Sequence, residues 1–135
     1  MPASPTKLSA LTRPTCVVVI DDDPAVCQAL QFYLELEGYV VRLFGDGESA
    51  LAARLDSSRT CLVIDFRLPG MNGLQLLKAL RAQQVTAPAL LMTSQPDRNL
   101  REEAAKANMR IVEKPLLGDG LMSEIKAALA GQTPA

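Results

Sequence analysis

Four short apolar runs, each ending at a polar or charged residue, constrain this chain more than anything else in it. Cys16-Val-Val-Val-Ile20 is continuous and β-branched and stops at Asp21-Asp22-Asp23-Pro24. Leu62-Val63-Ile64 stops at Asp65, and Ala89-Leu90-Leu91-Met92 stops at Thr93. Met109 to Val112 runs into Glu113-Lys114-Pro115. Apolar runs without alternation suit strands covered on both faces, as in a parallel sheet packed between helices. A carboxylate at the carboxyl end of such a strand faces the crevice where open α/β sheets bind ligands.

The segments between these runs read as helices and turns. Residues 1–13 are rich in Pro, Ser, Thr and Ala without periodicity and read as a loose tail. Asp23 suits an N-cap and Pro24 the first helical position of helix one. Its apolar stripe is Val26, Ala29, Leu30, Tyr33 and Leu34, and Gly38 ends it. Tyr39 to Phe44 reads as strand two, Gly45-Asp46-Gly47 as a turn, and Glu48 to Leu55 as a short helix two. Asp56 to Arg59 is a loop before strand three. After Asp65, Pro69-Gly70 and Gly73 lead into helix three near Leu74, with Leu74, Leu77 and Leu80 as its stripe. Helix four is expected over Arg98 to Ala107, where Arg98/Glu102 and Glu102/Lys106 read as a solvated face. Strand five is Met109 to Val112, and helix five buries Leu121, Ile125, Ala128 and Leu129. Residues 131–135 read as a frayed end or the start of a linker. Strands alternating with helices through short loops predict an α/β fold: a doubly wound, five-stranded parallel sheet with right-handed crossovers.

Composition removes several classes of function. The 135 residues suit one domain, taken here as 14–130, and a 48% hydrophobic content argues against disorder. The net charge is -1 with Lys and Arg scattered, so no direct nucleic-acid partner is expected. No run approaches the ~18 apolar residues of a membrane span. The opening residues lack a signal peptide's apolar region, so the expected location is the cytoplasm. Cys16, Cys27 and Cys61 have no metal-ligand spacing and read as reduced, buried thiols. There is no histidine, the commonest general base and nitrogen metal ligand. Chemistry here must run on carboxylates, hydroxyls, lysine and a hard metal ion.

In one parallel sheet, Asp21 and Asp22, Asp65, Thr93 and Lys114 share an edge. At ~4 Å and an effective dielectric of ~20, each carboxylate pair repels by about 4 kcal/mol. A divalent cation relieves that, and all-oxygen ligands favour Mg²⁺ with several retained waters. Lys114 adds a point charge suited to a phosphoryl oxygen, and Thr93 a hydroxyl donor. These parts suit transfer of a phosphoryl group to a carboxylate. Singly, each has a plainer reading: a helix-capping cluster at Asp21 to Asp23, a strand-end hydroxyl at Thr93, a turn at Lys114-Pro115, a loop cap at Asp65. Their joint placement at four strand ends favours the chemical reading.

These residues carry a resemblance. Val18-Val-Ile-Asp21-Asp22-Asp23-Pro24, Leu62-Val-Ile-Asp65-Phe-Arg-Leu-Pro69-Gly-Met-Asn-Gly73, Leu91-Met-Thr93-Ser94 and Glu113-Lys114-Pro115 resemble the motifs of the receiver domain of two-component response regulators. The resemblance implies a flavodoxin-like (βα)5 fold with strand order 2-1-3-4-5. It implies that a histidine kinase or phosphotransfer protein phosphorylates Asp65. Asp22, Asp65 and the backbone carbonyl of Arg67 would bind Mg²⁺ directly, and Asp21 through water. Thr93 and the Ser94 amide would hold phosphoryl oxygens, and Lys114 would pair with another. The signal would leave through the face of helix four, strand five and helix five, toward an output domain, a downstream protein or a second copy. Such a protein is a switch, catalysing only its own phosphotransfer and dephosphorylation.

The chain also departs from the family's pattern. Ile111 stands where an aromatic usually follows the Thr93 hydroxyl inward, and Leu116 replaces an aromatic after Lys114-Pro115. The stretch from Thr93 to Lys114 is one residue shorter than usual. Arg67 is a long cation where many receivers have a smaller polar residue. By resemblance, Arg67 and Gln95 flank the path of the water that hydrolyses the phosphoryl group. Neither offers a carboxylate to take its proton, so a long-lived phosphoryl group is expected. Two other readings compete with this one. A haloacid-dehalogenase-type phosphatase needs a second acid two residues past the first, where this chain has Arg67. A pseudo-receiver, with the fold but no phosphorylation, is favoured by Ile111 and opposed by the intact carboxylates, Thr93 and Lys114. The Phe-Arg-Leu-Pro loop is most similar to regulators with a DNA-binding output domain.

Overall fold

The computed structural model of the chain describes residues 15–94, 96–114 and 120–130. Strands β1 (Cys16–Ile20), β2 (Val40–Phe44), β3 (Thr60–Asp65), β4 (Ala89–Thr93) and β5 (Arg110–Glu113) alternate with helices α1 (Pro24–Leu36), α2 (Gly47–Ala52), α3 (Gly73–Ala82), α4 (Arg98–Lys106) and α5 (Gly120–Ala130). All neighbouring strands pair in parallel, in the order β2-β1-β3-β4-β5. This is the doubly wound order the resemblance implies.

The unbroken apolar runs are buried as their sequence requires. Val17 to Ile20, Cys61 to Ile64, and Ala89 to Met92 are all buried, and they form the middle of the sheet. Strand alternation then divides the core in two. Val18, Ile20, Leu62, Ile64 and Leu91 face α3 and α4, meeting Leu77, Leu80 and Ala104. Val17, Val19, Val63, Leu90 and Met92 face α1 and α5, meeting Leu30, Leu34, Leu121 and Ile125. The two edge strands leave residues in solvent: Val40 and Arg42 on β2, Arg110 and Glu113 on β5.

Local chemistry sets the element ends. Asp23 caps α1, its Oδ1 accepting from the Ala25 amide at 2.9 Å, with Pro24 at the first helical position. Gly38, at a φ of 93°, lets the chain turn away beyond it. Asn72 and Gln75 form a reciprocal capping box on α3. Asp46 and Asp97 cap α2 and α4.

Several sequence expectations shift by small amounts. In α1 the buried set is Cys27, Leu30 and Leu34, while Ala29 is exposed and Tyr33 is 59% exposed. The helix lies near the open edge of the sheet, which covers a narrower stripe than the apolar pattern offers. Tyr33 instead meets the Phe32 ring edge-on at 5.9 Å. Helix α2 closes at Ala52 rather than Leu55, because Arg54 takes a φ of 54°. Strand β5 opens at Arg110 rather than Met109. The Met109 amide still donates to the Ala104 carbonyl at 2.8 Å, closing α4, while Asn108 turns at a φ of 60°. Arg98, Glu102 and Lys106 are exposed as expected.

All three thiols are free; Cys27 and Cys61 are buried and Cys16 half-buried. Burial pushes the Cys61 thiol up to about 12, which keeps it protonated at neutral pH. Among the described residues, no helix is long and apolar enough to cross a membrane. The expected tails at 1–13 and 131–135, and the positions of Gln95, Pro115 and Leu116, lie outside the described residues.

Ile125 is fully buried between α5 and the sheet, whereas Leu36 on α1 is 67% exposed. Ile125→Ala is expected to cost ~2–5 kcal/mol in urea unfolding. Leu36→Ala is expected to stay within about 0.5 kcal/mol. Equal losses would show that α5 is not docked through Ile125.

Candidate functional site

Register brings the strand ends to one level. Ile20 pairs with Ile64, Asp65 with Met92, and Thr93 with Glu113. Asp21 therefore lies one residue past the end of β1, beside Asp65 at the end of β3. The Asp21 amide donates to the Phe44 carbonyl at 3.0 Å and the Lys114 amide to the Thr93 carbonyl at 2.8 Å. These bonds carry the ladders one residue beyond the strands and hold both ends in place.

The side chains converge on Lys114. Its Nζ lies 3.1 Å from Asp21 Oδ2 and 3.2 Å from Asp65 Oδ1. Asp21 is 1% exposed and Asp65 6%. The other Asp21 oxygen, Oδ1, accepts from the Asp23 amide at 2.9 Å. One carboxylate oxygen from each of Asp21, Asp22 and Asp65 lies within 4.8 Å of the other two. Three hard oxygen donors at that spacing fit a small divalent cation. Asp22 is exposed, so one side of the cluster is open to the waters that Mg²⁺ retains. The donor set therefore fits the ion expected from the sequence.

Burial acts first on Asp65, pushing its carboxyl above the ordinary aspartate range, and the charge of Asp21 adds to that. Lys114 pulls it back by charge and hydrogen bond, and Asp22 pushes weakly upward. For Lys114, burial works against the ammonium. The hydrogen bond and charge of Asp21, then those of Asp65, outweigh it and raise the amine above its ordinary value.

The other expected residues are nearby but placed differently. By strand alternation, Asp21, Asp65 and Lys114 have the parity of Val19, Val63 and Val112, on the α1 and α5 side. Thr93 has the parity of Leu91, on the side of α3 and α4. Buried Thr93, with Phe66 and Arg67, lines a cavity of about 190 Å³ that reaches Asp97, Leu100 and Glu103 of the α4 end. Arg67 and Ser94 are exposed, and Arg67 pairs with Asn72 in an antiparallel bridge inside the β3–α3 loop. Ile111, half-buried, packs against the core on the Leu91 side. Gln95 lies outside the described residues.

Two features were not read from the sequence. Lys114 already clasps both acids, where an interaction with a phosphoryl group alone was expected. The Cys27 thiol donates to the Asp21 carbonyl at 3.2 Å, tying α1 to the acidic loop. A helical thiol one turn past an acidic cap is too common for sequence to single it out.

Comparison with known proteins points to one family. The response regulator receiver domain family model matches residues 17–126. The transcriptional regulatory protein FixJ of Bradyrhizobium diazoefficiens is 40% identical over 120 residues, covering 88% of this chain and 58% of that protein. The transcriptional regulatory protein KdpE of Mycobacterium tuberculosis H37Rv is 32% identical over 122 residues, covering 90% of this chain and 54% of that protein. The chain thus spans about half the length of these curated relatives. Among solved structures, FixJ-N superposes with a TM-score of 0.77 at 29% identity, covering 91% of this chain and 98% of that one.

The charge balance at Asp65 makes a testable statement about stability. A carboxyl that holds its proton more tightly when folded contributes stability below its unfolded pKa of about 3.9, and loses it as pH rises through the folded value. At neutral pH, without metal, the Asp65 charge therefore opposes folding. Asp65→Asn should raise the urea midpoint at pH 7, and the gain should shrink as the pH is lowered toward ~4. A variant no more stable than the parent at pH 7 would contradict this balance.

Proposed function

This chain belongs to the response regulator receiver domain family, and from that membership we propose that Asp65 accepts a phosphoryl group from a histidine kinase or phosphotransfer protein. The observation that carries the reading is the Lys114 ammonium shared by Asp21 and Asp65, with Asp22 completing an oxygen cluster. An Asp65 carboxylate oxygen attacks the phosphorus of a phosphohistidine. The P–O bond forms as the P–N bond breaks, and the imidazole leaves with the electron pair. The chain has no histidine of its own, so the donor imidazole comes from the partner.

Asp22, Asp65 and the Arg67 carbonyl would hold Mg²⁺, with Asp21 acting through water. The ion would neutralise charge between the carboxylates and the phosphoryl oxygens. Lys114 is already within 3.2 Å of the acceptor and is suited to follow a phosphoryl oxygen once Asp65 is esterified. Thr93 and the Ser94 amide would bind the remaining oxygens. Recruiting Thr93 from the α4 side would couple the site to the face of α4, β5 and α5. Ile111 on that face transmits by packing, with no ring to swing. A downstream protein, an output domain or a second copy would read that face in the cytoplasm.

The test uses acetyl phosphate as donor and a phosphate-affinity gel as readout. Labelling should require Mg²⁺ and vanish in Asp65→Asn. Undiminished labelling of that variant removes Asp65 as acceptor, and an unlabelled parent makes this a receiver fold without phosphorylation. On adding beryllofluoride, amide shifts should extend into α4, β5 and α5. Shifts confined to the Asp65 pocket would mean that no signal reaches that face.

Arg67 lines the same cavity as Thr93, and its guanidinium has no atom able to accept a water's proton. Lying over the phosphoryl group, it would block the in-line water and prolong the phosphorylated state. Arg67→Asn is therefore expected to speed dephosphorylation of the purified protein in Mg²⁺ without a phosphatase. Equal decay rates would remove Arg67 from gating.

A further inference from the structure

We propose that Gly73 is a positioning residue for the Asp65 carboxylate, and that the site requires the absence of any side chain at this position. This rests on the reading of Asp65 as acceptor. Gly73 opens α3 directly after the N-cap Asn72. Among the described glycines, Gly38 and Gly70 take positive φ and Gly73 does not, so at Gly73 backbone freedom is not what the position demands. Space is. A Cβ there would lie 2.7 Å from the Asp65 carbonyl oxygen, 2.8 Å from Leu91 Cδ1 and 3.0 Å from Ile64 Cγ2.

The nearest of these contacts is backbone and cannot swing aside. The Asp65 carbonyl belongs to the same peptide as the Phe66 amide, which donates to the Met92 carbonyl at 2.9 Å. The next carbonyl, that of Phe66, accepts from the Gly73 amide at 2.8 Å. The end of β3 is thus held by β4 on one side and by the first residue of α3 on the other. An added methyl group must lift α3 or push back the peptide that carries Asp65. The second movement changes the 3.2 Å contact between Asp65 and Lys114. It also disturbs the Arg67–Asn72 bridge, and with it the carbonyl assigned to the cation. Gly47 provides a contrast. Its absent Cβ would meet Met71 Sδ at 2.8 Å and Cγ at 3.1 Å, a flexible side chain that can move.

The experiment compares the parent with Gly73→Ala, Gly47→Ala, and the double variant Gly73→Ala/Leu91→Val, which relieves the Leu91 contact and leaves the backbone contact. Amide spectra of the metal-free proteins, Mg²⁺ titration by calorimetry and urea unfolding are measured on each. In Gly73→Ala, the amides of Asp21 and Lys114 should shift, although neither residue is among the Cβ contacts. The Kd for Mg²⁺ should rise by roughly tenfold or more, the usual effect of disturbing a residue that supports metal ligands. Gly47→Ala should do neither. The double variant should regain stability without regaining affinity. Three results would overturn the proposal: metal-free shifts confined to α3, Ile64 and Leu91; restoration of Mg²⁺ affinity by Leu91→Val; or failure of both Gly73 variants to fold, which would make Gly73 a requirement of the core. If the parent binds no Mg²⁺, the proposed function fails separately, and the metal-free spectra still decide the role of Gly73.

Discussion

Two buried carboxylates, Asp21 and Asp65, share one ammonium, and much of the molecule is arranged so that they can. Burying ionised groups costs several kcal/mol per charge in desolvation, and only close, well-placed partners offset it. The arrangement therefore needs strand ends that are level and strands that do not slip. The three central strands supply this: their middles are buried on both faces, and a one-residue slip would carry Asp65 or Thr93 to the opposite half of the core. Lys114 follows the edge strand β5, yet it reaches Asp21 past the ends of β4 and β3. Its long stem spans that distance while its head stays charged.

The same alternation that divides the core divides the site. The acids and Lys114 are on the α1 and α5 side, while Thr93, Ile111 and the cavity beside Arg67 are on the side of α3 and α4. A group bound at the sheet edge can thus be held by acids on one side and by a hydroxyl on the other. Recruiting Thr93 to that group is a change in the second half of the core. The receiver family's use of one small domain both to accept a charge and to report it is consistent with this geometry.

The β3–α3 connection links these two halves. Phe66 bonds to β4 through its amide and to Gly73 through its carbonyl, so the loop between them is closed at its base. Arg67 and Asn72 pair inside that loop, and Asn72 caps α3. The Pro69-Gly70 turn, with Gly70 at a φ of 84°, lets the loop fold back on itself. The end of β3, the start of α3 and the Arg67 backbone between them are therefore one mechanical unit.

Much of this was legible in the chain itself. Continuous apolar runs specify strands buried on both faces, and the polar residue ending each run marks the sheet edge where Asp21, Asp22, Asp65, Thr93 and Lys114 meet. Asp23-Pro24 and the glycine after helix one mark helix ends by local hydrogen bonding and allowed dihedrals, which need no tertiary context. Other features depend on what lies opposite each residue. Tyr33 falls on an apolar stripe, yet the sheet edge leaves it in solvent; Cys27 looks unremarkable and bonds to the acidic loop. Met109 belongs to the last apolar run, but its amide is claimed by α4. That Lys114 pairs with both acids, that Thr93 lies on the other side of the sheet, and that Gly73 presses against the Asp65 carbonyl are facts of register and close approach. Such distances arise only between segments far apart in sequence, after the sheet has brought them together.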